Sequence, residues 1–549
     1  MNIRRIMLFC FLGAVAVSAG ALYFEVAGCG SPDYEDASGV SAPEANDQAA
    51  PRPALACLEQ SPRMAHGGTH PPNAAAHDAM FFKNYGVNPF VDADEDRLST
   101  FAVDVDTGSY TLARSYLNGG NLPPNEAVRA EEFVNYFRYD YDPPADDKAF
   151  AIQLAAAPSP FVRDRTLLRV GLQGRVVHAE QRKDAVLTFV IDVSGSMSRE
   201  DRLGLVKRSL RLLVDQLRPR DRVGIVVYGS KGRVVLRHRG LDERGTILDA
   251  IDSLRPGGST YAEEGIRMGY DLAEEFFRRG AINRVILCSD GVANVGNTGH
   301  EAILKQIRRQ ADRGITLSAI GFGMGNYNDV LMEQLGDKGD GHYAYVDTLD
   351  EARRVFVENL TGTLQVIARD VKTQVEFNPK VVRSYRLIGY ENRDVADEDF
   401  RNDSVDGGEV GAGHSVTALY ELKLWPDASG ELAVARIRYK TPDEGEAVEI
   451  GRGIATRDAA GSFEGADLSF RLAACAAEFA DILRKSYWAR GHELDGVIER
   501  AERCRRESDE ARDVVELVGL MRKARDLGAG RSGGDEPAID VDSGARLGR

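Results

Sequence analysis

The chain has 549 residues, enough for several domains, and its 43% hydrophobic and 28% charged content is that of a globular protein. A formal net charge of −16 argues against nucleic acid as a partner. The six cysteines include no CxxC pair, which argues against a zinc site.

At the N-terminus, Arg4 and Arg5 precede an apolar run from Ile6 to about Phe24, and Val26-Ala27-Gly28 leads into Cys29. A charged start, an apolar middle and small residues at the end describe a secretory signal over 1–28. The ending before Cys29 resembles a bacterial lipobox. That resemblance implies cleavage before Cys29 and a lipid on its sulfur, and Gly30 after it implies the outer membrane in a Gram-negative cell. The run is nearly long enough to span a bilayer, so an uncleaved anchor and plain secretion stay open. All three place the bulk of the chain outside the cytoplasm. Residues 29–83, rich in Ala, Pro, Ser and Asp, read as a disordered tether, and 528–549 as a disordered tail. Cys10 leaves with the signal and Cys57 lies in the tether. Cys288 falls in an apolar strand pattern. Cys475 and Cys504 fall in successive helical patterns, and whether they pair is open.

A first block, 84–147, carries a strand pattern at 100–106 and helical patterns at 110–117 and 125–137. A second, 148–182, alternates as strands at 150–154 and 167–172. In the third, 183–365, strand and helix alternate. The run 186–191 is almost wholly apolar, as in a strand buried on both faces. Leu203, Val206, Leu210, Leu213 and Val214 recur at helical spacing over 202–217. Further strands are expected at 222–228, 233–238 (an edge), 284–288, 315–320 and 342–346. Helices fit at 245–254, 261–277, 301–312, 330–335 and 350–363. This order predicts an α/β fold, a doubly wound, mostly parallel six-stranded sheet that binds ligands beyond the carboxyl ends of its strands.

The block 366–463 is β-rich, with strands expected at 371–377, 415–424 and 431–439 that can join those near 150 and 167 in one flanking domain. Residues 464–527 read as a helical pair, 468–490 and 494–527. The second has an apolar stripe of Val514, Leu517, Val518 and Met521, whose default use is packing against the β-domain.

Three separated stretches carry the chemistry. Asp192-Val-Ser194-Gly-Ser196, Gly257-Gly258-Ser259-Thr260 and Ser289-Asp290-Gly291 each border a predicted strand. Hydroxyls and carboxylates are the hard oxygen donors that Mg²⁺ takes, with Mn²⁺ or Ca²⁺ as alternatives. Few direct protein bonds leave a coordination position for a carboxylate from elsewhere.

On these residues the block resembles a von Willebrand factor type A domain, and Asp192, Ser194, Ser196, Thr260 and Asp290 match that family's metal-ion-dependent adhesion site. The resemblance implies that Ser194 and Ser196 bind the metal directly. It makes Asp192 and Asp290 suppliers of charge that orient waters, and Thr260 a ligand in some states. The stretches 99–110, 122–124 and 131–140, and later 369–379, 385–393 and 468–479, resemble the flanking modules of a bacterial group of such proteins.

Other motifs have plainer readings. The run Gly321-Phe-Gly323-Met-Gly325-Asn326 lacks the last glycine of a dinucleotide loop and reads as a tight turn. The run 103–109 mimics an adhesion loop but reads as capping of the next helix. No histidine is placed to activate Ser194 or Ser196. His300 and His342 read as solvated or strand-end residues, and Glu263 and Glu264 as first-turn helix charge. The expected function is metal-dependent binding of a protein partner through an acidic residue, by a protein held to the membrane through a lipid anchor, without catalysis. An envelope scaffold with an internal metal is the alternative.

Overall fold

The computed structural model describes residues 82–530 apart from 104, 146–147, 292–299, 324–326, 443–444 and 509–510. The signal, nearly all of the tether, Cys10, Cys29, Cys57 and the tail beyond 530 lie outside the described residues, as does part of the 321–326 turn. Among the described residues, no helix is long and apolar enough to cross a membrane.

The chain opens with β1 (Val91–Asp92), β2 (Leu98–Ala102), α1 (Gly108–Asn118) and α2 (Ala130–Asn135). The expected helix over 125–137 is a 3-10 turn, Asn125–Ala127, followed by the shorter α2. Val128 and Arg129 between them are extended, with ψ of 109° and 115°. That break turns Arg129 inward to Asp329, where Nη1 lies 2.5 Å from Oδ2. The loop before α1 is not a side-chain cap: Thr107 makes no capping bond. Instead Glu132 accepts the Ser109 amide at 2.7 Å, and Asp106 accepts the Tyr343 amide at 2.8 Å.

Next come β3 (Phe150–Pro158), β4 (Thr166–Gly174), β5 (Ala185–Asp192), α3 (Leu205–Gln216), β6 (Arg222–Tyr228), β7 (Arg233–Gly240), α4 (Arg244–Ser253), α5 (Ala262–Glu275), β8 (Ile282–Ser289), α6 (His300–Asp312), β9 (Ile315–Phe322), α7 (Asp329–Lys338) and β10 (Tyr343–Val346). The six strands β10-β9-β8-β5-β6-β7 form one sheet. All its pairs are parallel except the edge pair β6–β7. Every residue of β5 is buried, because α5 covers one face and α3 the other. The α/β architecture expected from the alternation is therefore present. The helix expected over 350–363 is interrupted: α8 (Leu349–Arg353) and α9 (Leu360–Leu364) are separated by a π-turn, Arg354–Glu358.

The remainder holds β11 (Val366–Phe377), β12 (Val382–Ile388), β13 (Gly408–Gly411), β14 (Ser415–Leu424), β15 (Glu431–Lys440), β16 (Ala447–Ala455), α10 (Leu468–Leu483), α11 (Leu494–Glu507) and α12 (Ala511–Asp526). Two sheets, β1-β12-β14-β4-β3 and β13-β11-β15-β16 with β2 on β11, bury a common core. Of the three strands expected to join those near 150 and 167, only β14 pairs directly with β4; β11 and β15 lie in the facing sheet. The expected long second helix is split at Ser508, which is extended, into α11 and α12. Val514, Leu517, Val518 and Met521 are buried in a core shared with α1, α2 and α10.

Ion pairs, some of them buried, tie these parts to the α/β block. Arg114 of α1 meets Asp347 at 2.5 Å, Glu351 at 2.8 Å and Glu516 of α12 at 2.9 Å. Arg393 reaches Glu333 and Asp337 on α7 at 3.1 and 2.7 Å. Arg354 meets Asp513 at 2.9 Å.

Candidate metal centre

The parallel register sets Ile191 of β5 beside Cys288 of β8 and Asp192 beside Tyr228 of β6. The carboxyl ends of three strands therefore finish level, at the point where the winding of the sheet reverses. Asp192 closes β5. Its Oδ1 accepts the Ser194 amide at 2.8 Å, and its Oδ2 accepts the Ser289 hydroxyl at 3.0 Å. That turn brings the Ser194 and Ser196 hydroxyls within 2.9 Å of each other. Asp192, Ser194 and Asp290 are buried, while Ser196 is exposed at the mouth.

The second stretch is stitched to the first by backbone. Gly257 donates its amide to the Val193 carbonyl at 2.7 Å, and Gly195 donates to the Gly258 carbonyl at 2.9 Å. Gly258 is needed here: its φ is +89°, and a Cβ would stand 2.5 Å from the Ser230 hydroxyl oxygen. Thr260 follows, half-buried, just before α5. Asp290 follows β8 directly. The structure thus gathers the three loops carrying Asp192, Ser194, Ser196, Thr260 and Asp290 at one end of the sheet.

A residue not singled out from the sequence stands among them. Arg202 donates from Nη1 to Asp290 Oδ2 at 2.7 Å and to the Ser196 carbonyl at 2.8 Å. It reaches them from a π-turn, Glu200–Gly204, at the head of α3. Gly323 makes room for it, since a Cβ there would lie 2.5 Å from Arg202 Cγ. In sequence Arg202 reads only as a polar residue in the first turn of an amphipathic helix. Ser289 was visible in its motif, but its hydrogen bond to Asp192 was not.

The electrostatics describe two buried carboxylates beside one protein cation, Arg202. Burial, and then the nearby Asp290 carboxylate, push the Asp192 carboxyl up to about 6. Burial raises Asp290 too, with Arg202 opposing it. The buried Tyr228 phenol is raised by desolvation and by Asp192. Two buried carboxylates beside paired hydroxyls, all oxygen, fit a hard divalent cation. Among the described residues there is no cluster of three or more His, Cys, Asp or Glu that could hold a metal ion.

The other motifs have structural uses. Glu264 in the first turn of α5 accepts the Gly232 amide at 2.6 Å. His342, just before β10, shares a 3.1 Å hydrogen bond with Ser318. The side chain of His300 lies outside the described residues.

Comparison with known proteins supplies the family. The von Willebrand factor type A domain family matches residues 187–360, a family described as von Willebrand factor matches 76–169, and one described as "Uncharacterized protein YfbK, C-terminal" matches 362–527. "Uncharacterized protein YfbK" of Escherichia coli strain K12 is 39% identical over 400 residues, covering 68% of this chain and 70% of its own length. "Uncharacterized protein sll0103" of Synechocystis is 25% identical over 189 residues, 34% of this chain and 44% of its own. A solved von Willebrand factor type A structure from Catenulispora acidiphila covers 70% of this chain and 91% of its own at 15% identity, with a TM-score of 0.40. The chain belongs to the YfbK family, with a von Willebrand factor type A domain at its centre.

Proposed function

We propose that the protein is a divalent-metal-dependent binding protein of the bacterial envelope, held to a membrane through lipid on Cys29. The observation that carries this reading is the convergence of Asp192, Ser194, Ser196 and Asp290 at the level strand ends, with the exposed Ser196 at its opening. Ser194, Ser196 and Thr260 would hold Mg²⁺, or Mn²⁺ or Ca²⁺ in its place, with Asp192 and Asp290 supplying charge. The cation, when bound, supplies a positive centre that accepts a carboxylate from a protein partner. The chain's own residues prepare for that event. Ser289 and the Ser194 amide hold the Asp192 carboxylate in one orientation. Arg202 pairs with Asp290 and donates to the Ser196 carbonyl, so it is a cation that an incoming metal has to compete with. The reading includes no turnover.

The test pairs two measurements on the chain from residue 82 onward. Calorimetric titration with Mg²⁺ should show one site in the parent and none in Asp192→Ala. Capture from envelope extract should then retain a protein with Mg²⁺ and lose it with EDTA and with Asp192→Ala. Binding of Mg²⁺ with identical capture in all three conditions would move the reading to a scaffold with an internal metal.

A further inference from the structure

α10 and α11 lie against each other in the core shared with α1, α2 and α12. α10 is rich in small residues, with Ala473, Ala474, Ala476, Ala477 and Ala480 all buried, and Ala501 of α11 is buried in the same core. Small side chains let two helix backbones approach closely. Cys475 and Cys504 stand on these two helices as buried free thiols, each about one turn from the Arg471–Glu507 pair that joins α10 to α11 at 3.1 Å. Nothing in the metal centre uses them.

We propose that Cys475 and Cys504 are the two halves of a disulfide that closes when the chain folds in the presence of a disulfide oxidant, stapling α10 to α11. Either cysteine's thiolate can open the exchange. Its sulfur attacks one sulfur of the oxidant, the oxidant's S–S bond breaks, and the other sulfur leaves as a thiolate and takes up the proton that the attacking thiol gave up. The second cysteine then attacks the first cysteine's sulfur, the second oxidant sulfur leaves, and the second cysteine's proton passes to it. One S–S bond forms in the protein, one breaks in the oxidant, and the oxidant ends as two thiols. Both cysteines are buried after folding, so the exchange belongs to the stage before α11 docks, and reductant reaches the finished bond only through unfolding.

The staple bears on the metal domain. α12 packs on α11, and α12 carries Asp513 and Glu516, the partners of Arg354 and Arg114. Fixing α11 to α10 fixes the platform from which those two acids reach the α/β block.

The full chain, expressed with its own N-terminus, would be denatured in an alkylating reagent without reductant and mapped by mass spectrometry. In parallel, denatured and reduced chain would be refolded in a mixed oxidised and reduced glutathione buffer and mapped likewise. The expected result is a linked Cys475–Cys504 peptide pair in both arms, with Cys288 alkylated. Linkage on refolding alone still supports the pair and places the fault with the envelope location. Two alkylated thiols in both arms, or linkage of either cysteine to Cys57, overturns the proposal. Cys475→Ser and Cys504→Ser should each melt about 5 °C below the oxidised parent and level with each other. Equal melting of parent and variants would also overturn it.

Discussion

Arg202 Nη1 lies 2.7 Å from Asp290 Oδ2, so a carboxylate of the proposed metal set already has a protein cation at its side. Only 6% of that Arg202 side chain is exposed, which leaves its charge poorly screened. A guanidinium this close repels an incoming divalent ion and competes for the same oxygen. Arg202→Gln should therefore bind Mg²⁺ about tenfold more tightly, by calorimetric titration. Unchanged or weaker binding would reduce Arg202 to a support of the loop.

The loop carrying Thr260 can be loosened without touching a candidate ligand. Gly258→Ala places a Cβ at positive φ against Ser230, at a cost of about 1–3 kcal/mol locally. Affinity for Mg²⁺ should fall severalfold while the main unfolding transition moves little. An unchanged titration would show that this stretch takes no part in holding the metal.

Arg129 is buried between Glu132 and Asp329. Arg129→Ala strands two buried carboxylates and should cost about 3–5 kcal/mol. Thermal melts of the single variant and of Arg129→Met with Asp329→Asn would check this. The double variant should recover part of the loss, because it removes charge as well as the partner.

His238 supplies a pH dependence. It is buried beside Thr188 and Phe276, and desolvation lowers it to about 4 from an ordinary value of 6.5. The unfolded chain binds the proton more readily, so this contribution to stability is complete above pH 6.5 and drains away as pH falls towards 4, by at most about 3 kcal/mol. His342 and His414 are lowered in the same sense, so the informative quantity is the difference between parent and His238→Gln. That difference, from urea melts, should shrink between pH 7 and pH 5; a constant difference would rule the linkage out.

The α/β sheet was legible because its inner strands are short apolar runs bounded by turn residues, and because Asp192 and Asp290 stand where two of those runs end. The interruptions were not. Arg129 breaks a helical pattern only because Asp329, far along the chain, pulls it inward. The two-sheet arrangement of β11 and β15 against β4 and β14 was missed because alternation assigns a face to each residue but not a neighbour to each strand. Arg202 was missed for a related reason. Its role depends on a π-turn and on the space at Gly323, and neither has a periodic signature.

The ion pairs around α7 and α8 also bear on how the molecule can be divided. Asp329, Glu333, Asp347 and Glu351 belong to the α/β block, while the arginines that neutralise them, 129, 393 and 114, belong to the segments before and after it. Cut out alone, residues 183–365 would carry an uncompensated acidic flank on the side away from β7. The von Willebrand factor fold in this chain is thus electrically incomplete by itself, and its flanking segments serve as its counter-ions.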